Sequence, residues 1–145
     1  MYVIFVVTPY HRNLARAILK EPKIYFYDTG AVTGDAGAKL ENAAAVCLRK
    51  WLHFLEDTKG KDTQLCYVRD KEKREVDFLI EIDKKIDFLI EVKLSEENLS
   101  QSLRYFHRKL KPRESVQLVQ GATRTRTAQG IFIASAADWL AELDI

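Results

Sequence analysis

Glu75-Val76-Asp77-Phe78-Leu79-Ile80-Glu81-Ile82, Asp83-Lys84-Lys85 and Ile86-Asp87-Phe88-Leu89-Ile90-Glu91-Val92-Lys93 follow one another without a break, and this stretch decides the fold. It reads as two near-identical strands around a polar turn. Strand side chains alternate faces with period two. Val76, Phe78, Ile80 and Ile82 therefore share an apolar face with Ile86, Phe88, Ile90 and Val92, and that face is the core side. The opposite face carries Asp77, Leu79 and Glu81, then Asp87, Leu89, Glu91 and Lys93. A three-residue loop at Asp83–Lys85 pairs Ile82 with Ile86, Glu81 with Asp87, and Asp77 with Glu91. Opposed residues have Cβ atoms roughly 4.5–5.5 Å apart, where like charges repel unless a cation lies between them. Two carboxylates with Lys93 beside them suit a divalent-metal site for phosphodiester cleavage. The plainer reading is an amphipathic hairpin with a solvated acidic face, which suits Glu81 and Asp87 near the turn. Leu79 and Leu89 point to a second face that is partly covered.

The 145 residues fit one domain with a substantial core. With 47% hydrophobic and 30% charged residues, the composition is that of an ordinary soluble protein. The net charge of +2 excludes a global polyelectrolyte, so nucleic-acid binding requires local patches. Cys47 and Cys66 lack metal-ligand spacing and sit among apolar residues, which predicts buried free thiols and suits a reducing cytoplasm. No segment is long enough for a membrane span, and the short apolar run Met1–Val7 has no basic region before it. Neither a phosphate-binding Gly-Lys-Ser/Thr loop nor a nucleophile elbow is present, and His11, His53 and His107 are scattered without zinc spacing.

The pattern predicts a strand over Tyr2–Val7 stopped at Thr8-Pro9, a short helix over Asn13–Lys20 and a strand over Lys23–Tyr27. A longer helix is expected over about Ala38–Glu56, with a stripe of Leu40, Ala44, Cys47, Leu48, Trp51 and Leu55. Thr63–Asp70 reads as a strand leading into the hairpin. Ser95 or Asn98 is expected to cap the next helix, which runs to Leu110 before Pro112. Strands at Val116–Gln120 and Gly130–Ala134 flank a loop over Gly121–Gln129, and Ser135 caps a last helix reaching about Leu143. The order predicts a mixed α/β domain with a central sheet flanked by helices.

Three elements bear on a nuclease site. Glu41 stands early in the long helix, where an acid complements the macrodipole. That helix, packed on the hairpin, would also aim Glu41 at the same metal. Gln101, Arg104, Tyr105 and Arg108 share one helix face, which suits phosphate contact or a solvated basic face. His107, Arg108, Lys109, Lys111, Arg113, Arg124 and Arg126 form a basic cluster, suited either to a nucleic-acid backbone or to balancing the acidic hairpin.

Leu40-Glu41-Asn42 on a helix, Asp77 in a strand and Glu91-Val92-Lys93 ending the next strand together resemble the PD-(D/E)XK nuclease superfamily, which includes restriction endonucleases and Holliday-junction resolvases. Pro22-Lys23-Ile24-Tyr25-Phe26-Tyr27-Asp28-Thr29-Gly30, Arg69-Asp70 and Glu75-Val76-Asp77-Phe78 bring the chain closest to the uncharacterised C-terminal domain of a large group of prokaryotic AAA+ ATPases. Pro9-Tyr10, Asn13-Leu14, Phe132-Ile133 and Trp139-Leu140 also fit, so the resemblance covers nearly the whole chain. Val76 stands where the motif's name has Pro.

The resemblance implies a restriction-endonuclease-like core over residues 38–145 behind a lead-in over 1–37, in one domain. Asp77, Glu91 and the Val92 carbonyl would ligate Mg²⁺ or Mn²⁺. Lys93 would orient or deprotonate the attacking water or stabilise phosphate charge. Glu41 would be an accessory acid, and Gln101 and Tyr105 auxiliary contacts. The implied activity is metal-dependent hydrolysis of DNA. The alternative is a non-catalytic module that binds nucleic acid or protein for an ATPase. The ATPase module itself is absent from this sequence, so the chain reads as the C-terminal part of a longer protein or a shortened gene product. Resolvase-like members often act as dimers, which adds a homodimer to the implied partners, although no residue here marks a dimer face.

Overall fold

The structure, a computed structural model, describes residues 3–11, 21–95, 98–121 and 124–143. Its elements in chain order are β1 (Ile4–Pro9), β2 (Lys23–Phe26), a 3-10 turn (Thr29–Ala31), α1 (Ala36–Lys59), β3 (Thr63–Arg69), β4 (Glu75–Ile82), β5 (Lys85–Lys93), α2 (Gln101–Leu110), β6 (Glu114–Val119), β7 (Arg126–Ala128), β8 (Ile131–Ser135) and α3 (Ala136–Ala141). The fold is α/β. The strands form an eight-stranded mixed sheet in the order β2-β1-β3-β4-β5-β6-β8-β7. β1 runs parallel to β3, and β5, β6 and β8 run parallel to one another. The segment expected as a lead-in thus supplies two strands of the same sheet. The helix expected over Asn13–Lys20 lies outside the described residues.

Helices cover both sheet faces. On one face Leu48 and Leu52 of α1 pack with Phe78, Ile80, Phe88 and Ile90, joined by Ala136 and Trp139 of α3. On the other, Leu103 and Phe106 of α2 pack with Val76, Leu79, Leu89 and Ile131. Leu79 and Leu89 are as fully buried as Ile80 and Ile90, so β4 and β5 are central strands without a solvated face. Fully burying one such side chain contributes about 1.5–3 kcal/mol. This is why a run such as Phe78-Leu79-Ile80 is apolar on consecutive positions.

The hairpin register departs from expectation near the turn and returns to it over Phe78–Ile80, after which the ladder ends short of the acids. The turn has two residues, Asp83 and Lys84, both at positive φ. Asp83 is held there by accepting the Asp62 N–H and the Lys61 ammonium. Ile82 therefore faces Lys85, and Glu81 faces Ile86 rather than Asp87. A bulge between Ile80 and Glu81 absorbs Asp87, after which Ile80 faces Phe88 and Phe78 faces Ile90, the expected pairs. Freed from the ladder, Asp87 takes a bidentate bond from Arg113 at 3.0 and 3.1 Å. A second shift, between β3 and β4, leaves one more residue on β4 than on β3 between Cys66↔Leu79 and Val68↔Val76. It turns Val76 to the α2 side, away from Phe78. Ile86 likewise packs on the α2 side. Period-two reading fails at both places because each bulge inverts the faces beyond it.

Helix ends follow local chemistry. Asp35 caps α1 by accepting the Ala38 N–H at 2.8 Å, and Gly60 closes it in the left-handed region at φ 62°. Ser100, not Ser95 or Asn98, caps α2 by accepting the Leu103 N–H. Ser135 occupies the N-cap position of α3, which ends at Ala141 rather than Leu143, and its side chain makes no capping bond. The expected loop over Gly121–Gln129 contains β7, joined to β8 by a tight turn whose Gln129 and Gly130 both have positive φ. β1 continues through Thr8 and Pro9, which pair with Cys66 and Tyr67 of β3.

Asn42 of α1 is buried, and its side chain does what a neighbouring strand would do. It accepts the Phe26 N–H and donates to the Phe26 carbonyl, both at 2.9 Å, fastening β2 to the helix. Asn42→Ala deprives both backbone groups of that partner and is expected to destabilise the fold by roughly 1–3 kcal/mol, read as a lowered urea midpoint.

Candidate functional site

β4 and β5 stop pairing beyond Phe78 and Ile90. There a side chain takes over from the ladder: Asp77 Oδ2 accepts the Val92 N–H at 2.9 Å. Asp77 is also hydrogen-bonded to Glu91, whose residue is 9% exposed. The expected pair is therefore in contact, and one of its carboxyls must carry a proton. Burial, then the Asp77 charge and the hydrogen bond to it, hold the Glu91 carboxyl well above the usual range, against the opposing pull of Lys93 and Lys23. Burial and the Glu41 charge raise Asp77 as well, while Glu91, the Val92 N–H and Lys23 restrain it. Lys93, two residues on, ends β5 within electrostatic reach of Glu91.

Glu41 reaches this centre through a network absent from the expected motif. It accepts from the Tyr25 hydroxyl at 2.7 Å and from Lys23 Nζ at 3.2 Å. Lys23 also lies 3.4 Å from Glu75 and 3.9 Å from Asp77, with its ammonium 5.1 Å from the Tyr67 ring centre. Burial alone would lower the pKa of Lys23, but Glu41, Asp77 and Glu75 outweigh it and the net direction is up. Burial and the Glu41 charge likewise raise that of Tyr25. Sequence reasoning missed Lys23, Tyr25 and Glu75 as site residues. The available signal was period two in β2, which sends Lys23 and Tyr25 to the face of α1.

Gln117 is a further residue the sequence did not single out. It is fully buried on β6 directly opposite Glu91, accepts the Ser100 N–H through Oε1, and leaves Nε2 without a partner.

Gln101, Arg104, Tyr105 and Arg108 do share a face. With Arg74 and Lys109 they line a groove of about 490 Å³ on α2. Arg74 stacks over the Tyr105 ring at 3.6 Å while bonding Asp70 at 2.7 Å and Glu72 at 3.3 Å. A second hollow, of about 520 Å³, shares Arg74, Tyr105 and Lys109 and adds His11, Arg69 and Lys71 together with the acids Asp70 and Glu72. The groove belongs to the α2 side of the sheet, whereas Glu41 and Lys23 approach from the α1 side. Arg69, which lines the second hollow, lies 3.9 Å from Glu75, a partner of Lys23, and so connects the two regions. Of the rest of the basic cluster, Arg113 is engaged by Asp87 and His107 Nδ1 lies 2.8 Å from Ser115 Oγ.

Among the described residues no group of three or more His, Cys, Asp or Glu side chains is disposed to hold a metal ion. Fit therefore rests on the Asp77–Glu91 pair, and its donor chemistry is suitable. Two buried carboxylates closer than their charges tolerate are what a hard divalent cation relieves, and such cations take oxygen ligands. Val92 is tied to Asp77 through its N–H, so its expected role through the carbonyl is a separate matter. Both cysteines are free. Cys47 is half-buried, and burial pushes the Cys66 thiol up to about 12, leaving it unreactive. Among the described residues no helix is long and apolar enough to cross a membrane.

A family described as "Domain of unknown function (DUF4143)" matches residues 36–139, well over half of the chain. The chain belongs to that family. No curated protein and no solved structure matches it.

Proposed function

We propose that this DUF4143 member is a metal-dependent nuclease domain with a restriction-endonuclease-like core, hydrolysing DNA in the reducing cytoplasm as part of an ATPase. The observation that carries the reading is the buried, hydrogen-bonded Asp77–Glu91 pair with Lys93 alongside. Asp77 and Glu91, with the Val92 carbonyl, would hold Mg²⁺ or Mn²⁺. A bound cation of this kind supplies a Lewis acid for the phosphate and lowers the pKa of a water. Lys93 presents its ammonium where it can steady the phosphate or orient the attacking water. Glu41 acts through Tyr25 and Lys23, setting the field at Asp77. Arg74, Gln101, Arg104, Tyr105, Arg108 and Lys109 take the nucleic-acid backbone, and the stacked Arg74–Tyr105 pair offers a flat surface to a base.

The test is cleavage of labelled duplex, single-stranded and branched DNA by the purified chain in Mn²⁺ or in chelator. Cation-dependent cleavage by wild type that disappears in Asp77→Asn supports the reading. DNA binding without cleavage under any condition favours the non-catalytic module of an ATPase instead. Arg104→Ala and Arg108→Ala are each expected to weaken DNA binding across all sequences and to reduce the salt slope by about 1, measured by anisotropy over a salt series.

A further inference from the structure

Lys23 sits among three carboxylates from two different elements, at 3.2 Å from Glu41, 3.4 Å from Glu75 and 3.9 Å from Asp77. Its side chain is only 24% exposed. It is delivered by β2, an edge strand, and that strand is clamped to α1 by Asn42 and by the Tyr25–Glu41 bond. The ammonium is therefore held in place from three sides, not free to swing like a surface lysine. One of its three partners, Asp77, is also a member of the buried acid pair. β2 lies outside the stretch matched by the family.

We propose that Lys23 is a tethered counter-cation of the acidic centre that competes with a divalent cation for Asp77. This deepens the reading above and rests on it. A fixed positive charge within 4 Å of a ligand carboxylate lowers the benefit of bringing a second cation there, and at short range in a half-buried site that opposition is strong. The same charge keeps Glu41, Glu75 and Asp77 together when no divalent cation is bound. Lys23 thus sets the concentration at which the site fills.

The experiment is Mn²⁺ binding at one fixed pH, followed by electron paramagnetic resonance of the free ion, for wild type, Lys23→Met, Lys23→Arg and Asp77→Asn. Lys23→Met is expected to bind about tenfold more tightly than wild type. Lys23→Arg, which keeps the charge, should stay near wild type, and Asp77→Asn should lose binding. Equal or weaker binding by Lys23→Met than by a wild type that does bind overturns the competition while leaving the cation site intact. Absence of binding in every protein, Lys23→Met included, overturns the cation reading and the competition with it. A measurement without substitution guards against a misfolded variant. During Mg²⁺ titration of wild type, the Lys23 side-chain NMR signals should move with the same midpoint as the Asp77 carboxyl carbon. Lys23 signals that stay fixed while Asp77 moves overturn the proposal.

Discussion

Glu91→Gln is expected to lower cation-dependent cleavage by about a thousandfold or more and, in chelator, to make the fold more stable than wild type. The two effects share one cause. In the folded chain Glu91 is buried against Asp77 and keeps its proton far above the pH at which an ordinary carboxyl loses it. In the unfolded chain it ionises normally. The folded state therefore binds more protons than the unfolded state once pH exceeds the usual carboxylate range. Stability from this group is fully present below that range and falls as pH rises toward the raised folded pKa, by about 1.4 kcal/mol per pH unit for one proton. Glutamine keeps the shape and donates an N–H to Asp77 as the protonated acid does, but it has no proton to lose. Its Tm in chelator should exceed that of wild type near pH 8, and the difference should shrink toward pH 5. Thermal melts across that range check the sign. Adding Mg²⁺ should raise the wild-type Tm and leave that of Glu91→Gln where it was.

The acid pair was legible in the sequence because pairing of Asp77 with Glu91 depends only on local alternation and a turn of about the right length. Its survival is partly compensation. The turn is one residue shorter than the pattern suggests, and the bulge at Asp87 restores the lost residue before the strands reach Phe78 and Ile90. Nothing in an alternating apolar pattern marks such a bulge, since Asp87 looks like any outward strand residue. What the pattern hid was the coverage of the second face. Leu79 and Leu89 hinted at it, but only the packing of Leu103 and Phe106 shows that both faces are closed. Lys23 was hidden for a different reason. Its partners are 18, 52 and 54 positions away in Glu41, Glu75 and Asp77, joined by a parallel β1–β3 contact that leaves no local signature. Gln117 was hidden likewise, because facing Glu91 depends on the parallel register of β5 with β6.

Asp77→Ala and Asp77→Asn should both lose cleavage, by about a thousandfold or more, yet differ in stability. Asp77 has two jobs in this fold. In the proposed site its charge would serve the cation, and burial and Glu41 oppose that charge. Its Oδ2 serves the backbone, accepting the Val92 N–H where the β4–β5 ladder has ended. Asparagine gives up the charge and keeps the acceptor, and its amide can still bond Glu91. Alanine gives up both and leaves a strand N–H without that acceptor next to a buried acid. Asp77→Ala should therefore be less stable than Asp77→Asn by roughly 1–3 kcal/mol in chelator. Urea unfolding of the two variants side by side measures this directly. Equal stability would mean that water reaches Val92 once the carboxylate is gone, and the centre would then be more open than the burial of Glu91 implies. A gap of the expected size would mean that the carboxylate proposed to bind the cation also bridges β4 and β5 where their ladder has ended. An inactive protein used to trap DNA should then be made with asparagine, since alanine would confound loss of chemistry with loss of structure.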